Sequence, residues 1–262
     1  KSEAGMDSFI KNMSKTKHFK WIMFASKALI ENFVETGSEK TPSKVDIGPV
    51  NTFISKNFVD GIRLRASART TAKFNPHWFF EGYYAYGTKS HRSYYDAKVT
   101  YSFNKPEYQP IEFPIRTLSF ESNKDVESPS DKYLVHNKDN IFMTFRPVKV
   151  EKMSFINRQK LNFMWETDYG LATSVELRTE SNVPTGKLIY EKMDGSLVDK
   201  VRMTELIVGL DYRPGQSYVN SKQQRMAVNL DAPEFKITHT MGIQNFLGSD
   251  FNTNLTEVSV YK

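Results

Sequence analysis

Between positions 61 and 70 the chain reads GIRLRASART, in which Ile62, Leu64, Ala66 and Ala68 alternate with Arg63, Arg65, Ser67 and Arg69. A period of two sends alternate side chains to opposite faces of a strand. Any fold built on this stretch must give one face to three arginines and the other to aliphatic groups. The division recurs along the chain. Tyr95, Val99, Tyr101 and Phe103 alternate with Asp96, Lys98 and Thr100; Leu161, Phe163 and Trp165 with Lys160, Asn162 and Glu166; Leu206, Val208, Leu210 and Tyr212 with Glu205 and Asp211. A tight hairpin centred near Asn75 sets Arg69 opposite Glu81 and Arg65 opposite Ala85. An opposed Arg–Glu pair contributes roughly 0.2–1 kcal/mol.

Strand-like runs follow one another after Pro42, near 45–55, 61–73, 77–87, 93–104, 114–121, 140–146, 158–167, 171–179, 187–193, 201–213, 234–243 and 253–261. No helical block separates them, so successive runs are expected to pair antiparallel as a meander. The stretches 121–139, 148–157 and 214–233 read as irregular. The first holds ESNKDVESPSDK, rich in Ser and acids, and reads as a solvent-facing loop. Ahead of the strands, Ser8 to Phe33 lacks Pro and Gly. Ile22, Ala25, Leu29 and Phe33 share one helical face, with Phe9 and Met13 a turn earlier. Asp7 or Ser8 is positioned to cap the start and Gly37 to end the pattern. The expected organisation is a helical amphipathic lead-in over 1–40 and an antiparallel β region over 41–262.

Two architectures use such strands. A soluble sheet or sandwich turns its apolar face inward, whereas a transmembrane barrel turns it to lipid and lines a wet lumen with the polar face. Three features favour the barrel. Several runs reach the roughly 9–11 residues that cross a bilayer as a tilted strand. Aromatics gather near run ends, at Trp78–Phe80, Tyr84–Tyr86, Tyr94–Tyr95 and Tyr101–Phe103. The polar face carries charges of both signs. The alternative is a soluble β-rich binding domain, for glycans for example.

The stretches KVDIGPVNTFISKNFVDGIRLRASARTT (44–71), HWFFEGYYAYG (77–87) and VTYSFNK (99–105) resemble a family of Gram-negative outer-membrane proteins of unknown function. Its members carry a carboxypeptidase-regulatory-like domain ahead of a β-barrel. NLDAPEFKITHTMGI (229–243) and NLTEVSVYK (254–262) are similar to the family in style, and the likeness runs from about residue 17 to the end. The resemblance implies a mainly β fold, an antiparallel meander forming part of a transmembrane outer-membrane β-barrel behind an N-terminal amphipathic helix. It implies outer-membrane lipid, and other envelope proteins, as partners. It supplies no activity, and transport, assembly and surface display stay open. Family members are longer, and their barrels end on an aromatic residue. Tyr261 is followed by Lys262, so the chain is expected to be an internal fragment.

Arg63, Arg65, Arg69 and Glu81 are the expected lumen-facing strip. Gly48 and Pro49 suit a bulge or bend, Gly61 a turn after Asp60, and Gly82 and Gly87 room beside large aromatics. No catalytic constellation emerges. Cys is absent, which removes disulfides and thiolate metal sites. The five His are dispersed, and HExxH, GxSxG, Walker A and GxGxxG patterns are missing. Asp125, Glu127, Asp131 and Asp139 lack EF-hand spacing and read as solvated charges. Neither a cofactor nor a metal is expected. The net charge of +6 is spread without a dense basic run, and the aromatics alternate away from the arginines, which argues against nucleic acid.

Overall fold

The computed structural model describes residues 16–38, 41–131, 138–139, 141 and 150–261. Among the described residues one α-helix, α1 (Lys17–Glu31), precedes sixteen strands. These are β1 (Val34–Glu35), β2 (Val45–Ile47), β3 (Ile54–Asn57), β4 (Gly61–Thr70), β5 (Trp78–Gly87), β6 (Ser93–Ser102), β7 (Arg116–Glu127), β8 (Lys152–Glu166), β9 (Leu171–Gly186), β10 (Tyr190–Glu191), β11 (Leu197–Val198), β12 (Val201–Tyr212), β13 (Tyr218–Asn220), β14 (Arg225–Ala227), β15 (Glu234–Gly242) and β16 (Thr253–Tyr261).

Twelve strands form one antiparallel sheet in the order β1-β2-β4-β5-β6-β7-β8-β9-β12-β15-β16, with β3 also paired to β4. From β4 onward each strand pairs with the next long one, as a meander. Among the described residues the sheet stays open, with β16 paired only to β15. The β10–β11 and β13–β14 hairpins lie apart from it. Register follows the expected hairpin geometry: Arg65 opposes Ala85 and Arg69 opposes Glu81.

The element boundaries depart from the pattern in instructive places. The strands β7, β8 and β9 run 12, 15 and 16 residues. They absorb residues 122–127 and 152–157, which read as irregular because their few apolar groups, Val126, Met153, Phe155 and Ile156, make no sustained alternation, and residues 180–186, which lie between two expected runs. The stretch 214–233, also read as irregular, contains the β13–β14 hairpin. The run 45–55 splits into β2 and β3. Between them residues 48–53 oppose only 65–67 of β4, a wide bulge that holds Gly48 at φ +148° and the turn Val50–Thr52. The expected run 140–146 falls almost wholly outside the described residues, as do the helix start at Asp7 or Ser8 and the turn of Phe9 and Met13. Helix α1 ends at Asn32 in the left-handed conformation, before Gly37. It buries Ala28, while Ile22 and Ala25 of the expected face are exposed. It packs against the Val50–Thr52 turn, and Lys27 pairs with Glu35 of β1 at 3.6 Å.

The two faces of the sheet have opposite fates. Arg63, Asp60 and Asp125 are completely buried, and Asp46, Asn123 and Glu166 nearly so. Ile62, Leu64, Phe80, Phe120, Leu161, Val175, Val208 and Phe235 are exposed. The polar face is enclosed because the sheet curls toward it. Strands β4 and β7 are three strand steps apart, roughly 14 Å on a flat sheet, yet Arg63 and Asp125 touch at 2.6 Å.

Candidate functional site

The enclosed face is organised around Arg63. Its Nη1 donates to Asp125 Oδ1 at 2.6 Å and lies 3.5 Å from Asp60 Oδ2, and its Nη2 lies 3.4 Å from Asp139. The guanidinium rests 4.6 Å from the Tyr94 ring centroid. Arg65 pairs with Asp139 at 3.2 Å and stacks over Tyr83 at 3.6 Å. Lys138, from the β7–β8 connection, reaches Asp125 at 2.9 Å and Asp139 at 3.5 Å. Burial pushes the Lys138 ammonium down, but Asp125 and Asp139 more than offset that and hold it above the ordinary lysine value, so it stays charged. The hydroxyls of Tyr83 and Tyr94 donate to Asp125 and Asp60 respectively. Ser90 and Asn57 also donate to Asp60. Three cations and three carboxylates thus meet with no net charge, the condition under which buried ions are tolerated.

Ion pairs continue from strand to strand. Lys160 meets Glu121 at 2.7 Å, Arg158 meets Glu127 at 3.0 Å and Glu180 at 2.5 Å, and Arg178 meets Glu205 at 2.6 Å. Many carboxylates of this face are engaged by cations, while Asp96 accepts from the Asn123 amide at 2.8 Å. Among the described residues no three His, Cys, Asp or Glu gather to hold a metal.

At the rim where β5 begins and β8 ends, the β13–β14 hairpin crosses the polar face. Arg225 makes a two-pronged contact with Glu166 at 2.8 and 2.9 Å and stacks over Tyr218 at 3.6 Å. Lys222 reaches Glu35 of β1 at 3.1 Å. Gln223 donates to Asp46 of β2 at 3.3 Å and accepts from Arg69 of β4.

The opposite face carries a line of aromatic contacts along the same rim. His77 stacks on Tyr101; Trp78 and Phe103 meet Tyr101 edge-on; Phe103 reaches Phe163 and Trp165. Tyr212 stacks on Phe235 farther along. Tyr84, Tyr86 and Tyr95 are exposed toward the other rim.

The structure puts Arg63, Arg65, Arg69 and Glu81 on the polar face. It does not join the last two. Arg69 turns from Glu81 to Gln223 and lies over the Phe33 ring at 3.6 Å, so Glu81 acts on it only through space and not in a direct ion pair. Gly61 adopts φ +67° at the turn after Asp60. A Cβ at Gly82 would sit 2.4 Å from the Asp96 carbonyl, and one at Gly87 2.4 Å from the Asp60 carboxylate; the room serves backbone and carboxylate, not an aromatic ring. Asp125 and Asp139, read as solvated, are buried members of the network. Aromatics do accompany the arginines, through Tyr83 and Tyr94. Asp60, Asp125, Lys138 and Asp139 went unrecognised as site residues. The one signal was the alternation Glu121, Asn123, Asp125, Glu127, opposite Ser122, Lys124 and Val126.

A family model described as "Family of unknown function (DUF5686) C-terminal domain" matches residues 28–262. Neither a curated protein nor a solved structure matches the chain.

Proposed function

We propose that this chain, which belongs to the DUF5686 C-terminal domain family, forms wall of an outer-membrane β-barrel, with its apolar face toward lipid and its charged face toward the interior. The observation that carries this reading is the inverted burial: Arg63 is 0% exposed and its strand neighbour Leu64 is 49% exposed. Fully burying one Leu or Phe side chain is worth about 1.5–3 kcal/mol. A sheet that leaves Leu64, Phe80, Phe120, Leu161, Val208 and Phe235 uncovered has therefore reserved them for another apolar phase. A contiguous patch of that kind marks an interaction surface, and flanking aromatics suit a bilayer boundary. The strand lengths, the curl toward the charged face and the neutral ionic network support the same reading, as does the likeness of the motifs in 44–105 to outer-membrane proteins. On this reading a carboxypeptidase-regulatory-like domain precedes the barrel. The role is transport, assembly or surface display, without catalysis, and the partners are outer-membrane lipid and other envelope proteins.

The test is membrane fractionation of the intact protein with a heat-modifiability gel, followed by tryptophan quenching with brominated lipids. Outer-membrane recovery, a heat-dependent shift and quenching of Trp78 and Trp165 are expected. A protein that is monodisperse without detergent, unshifted and unquenched would overturn the reading in favour of a soluble β-rich binding domain, with a glycan screen as the next step.

A further inference from the structure

The β13–β14 hairpin has no role in building the wall. It leaves the sheet between β12 and β15, yet its polar residues are spent on β8 and on β1, β2 and β4 at the far edge. Lys222 pairs with Glu35 in β1, Gln223 contacts Asp46 in β2 and Arg69 in β4, and Arg225 grips Glu166 at the end of β8. Along the sheet, β2 and β12 are seven strand steps apart, roughly 34 Å at about 4.8 Å per step. A connection that touches both sides of such a span lies across the concave face and not beside it.

Its attachments are of the strong kind. A bidentate Arg–carboxylate pair fixes orientation as well as position. Glu166 is 4% exposed, and its Oε2 also accepts the Ile115 backbone N–H at 2.8 Å, so the anchor is held by its own surroundings. The Arg225 guanidinium is further seated on Tyr218 and near Phe113, whose rings lie 5.1 Å apart. The hairpin's outer side is different: Val219, Met226 and Val228 are exposed and belong to no core. One side of the element is tethered to the wall at three places and the other is free, as in a strap that can swing away when the tethers release.

We propose that this hairpin is a strap closing the mouth of the barrel interior at this rim, latched by Arg225–Glu166 and by Lys222 and Gln223 on β1, β2 and β4. The proposal rests on the barrel reading. It assigns the interior as closed at rest and opened by release of the latch, so solute passage depends on whatever breaks those pairs.

The test uses the intact protein in planar bilayers and in liposome-swelling assays. Because the chain has no Cys, a Glu35→Cys/Lys222→Cys pair can be bridged with a cleavable bifunctional thiol reagent. Wild type and the bridged form should conduct little. Arg225→Ala and Glu166→Gln should raise open probability about tenfold or more, since each loses a charge-assisted pair. The charge exchange Arg225→Glu with Glu166→Arg should restore closure, which separates latching from a general loss of fold. Cleaving the bridge in an Arg225→Ala background should reopen the path. A protein that inserts, shifts on heating and conducts freely, both as wild type and as the bridged double-cysteine variant, would overturn the strap and leave the barrel standing. Latch variants as closed as wild type would overturn it too. Failure to insert at all would remove the barrel reading and the strap with it.

Discussion

Val175 offers the sharpest test of which phase the apolar face meets. It sits on β9, 41% exposed, in register with Phe163 of β8 and Val208 of β12. If water covers this face, Val175→Arg replaces one exposed side chain by another, and such changes fall within about 0.5 kcal/mol. If lipid covers it, an arginine on a barrel wall costs up to about 2–4 kcal/mol, the full amount at the midplane and less toward a rim. At about 1.4 kcal/mol per factor of ten, a 3 kcal/mol loss lowers the folded-to-unfolded ratio by about two orders of magnitude. Val219→Arg on β13 is the control, because Val219 is 52% exposed but lies on the hairpin off the sheet. The assay is reversible urea unfolding of the intact protein in phosphatidylcholine vesicles, read by tryptophan emission. A large loss for Val175→Arg with a small one for Val219→Arg is expected. Equal, small losses for both would refute the lipid-facing assignment.

Other outcomes follow from the polar face. Arg63→Met removes one member of a buried ionic cluster, which costs about 3–5 kcal/mol. The lower end is expected because Lys138 still faces Asp125 at 2.9 Å, and the Arg63→Met/Asp125→Asn pair should recover part of the loss in a double-mutant cycle; a single-variant change below about 0.5 kcal/mol would contradict the network's role. Gly82→Ala forces a Cβ to within 2.4 Å of the Asp96 carbonyl oxygen. Backbone cannot swing aside, so the β5–β6 pairing should lose about 1–3 kcal/mol, checked by the same unfolding curves. The hydrogen bond from Lys222 to Glu35 holds the ammonium above its usual value. Its contribution to the strap is therefore complete below the ordinary lysine pKa of about 10.4 and is lost as pH rises through the higher folded value. Conductance should stay low from neutral pH to about pH 10 and climb beyond it in wild type, and this alkaline step should vanish in Lys222→Met.

The strands themselves were legible because side-chain direction in a strand depends on parity alone. Alternation placed Arg63, Arg65, Arg69 and Glu81 on one face and Ile62, Leu64, Trp78 and Phe80 on the other, and the turn at Asn75 fixed the β4–β5 register. Tertiary structure decided what each face meets. Parity cannot distinguish a face turned to water from one turned to a partner, so Asp125 and Asp139 read as solvated although the curled sheet encloses them. Residues 122–127 and 152–157 also joined long strands, although their short mixture of polar and apolar groups made no alternation long enough to mark one. The curl brought together Arg63, Asp125 and Lys138, up to 75 positions apart, and carried Lys222, Gln223 and Arg225 to β1, β2, β4 and β8. These contacts depend on curvature, which accumulates over many strand pairs and is written in no single stretch of sequence.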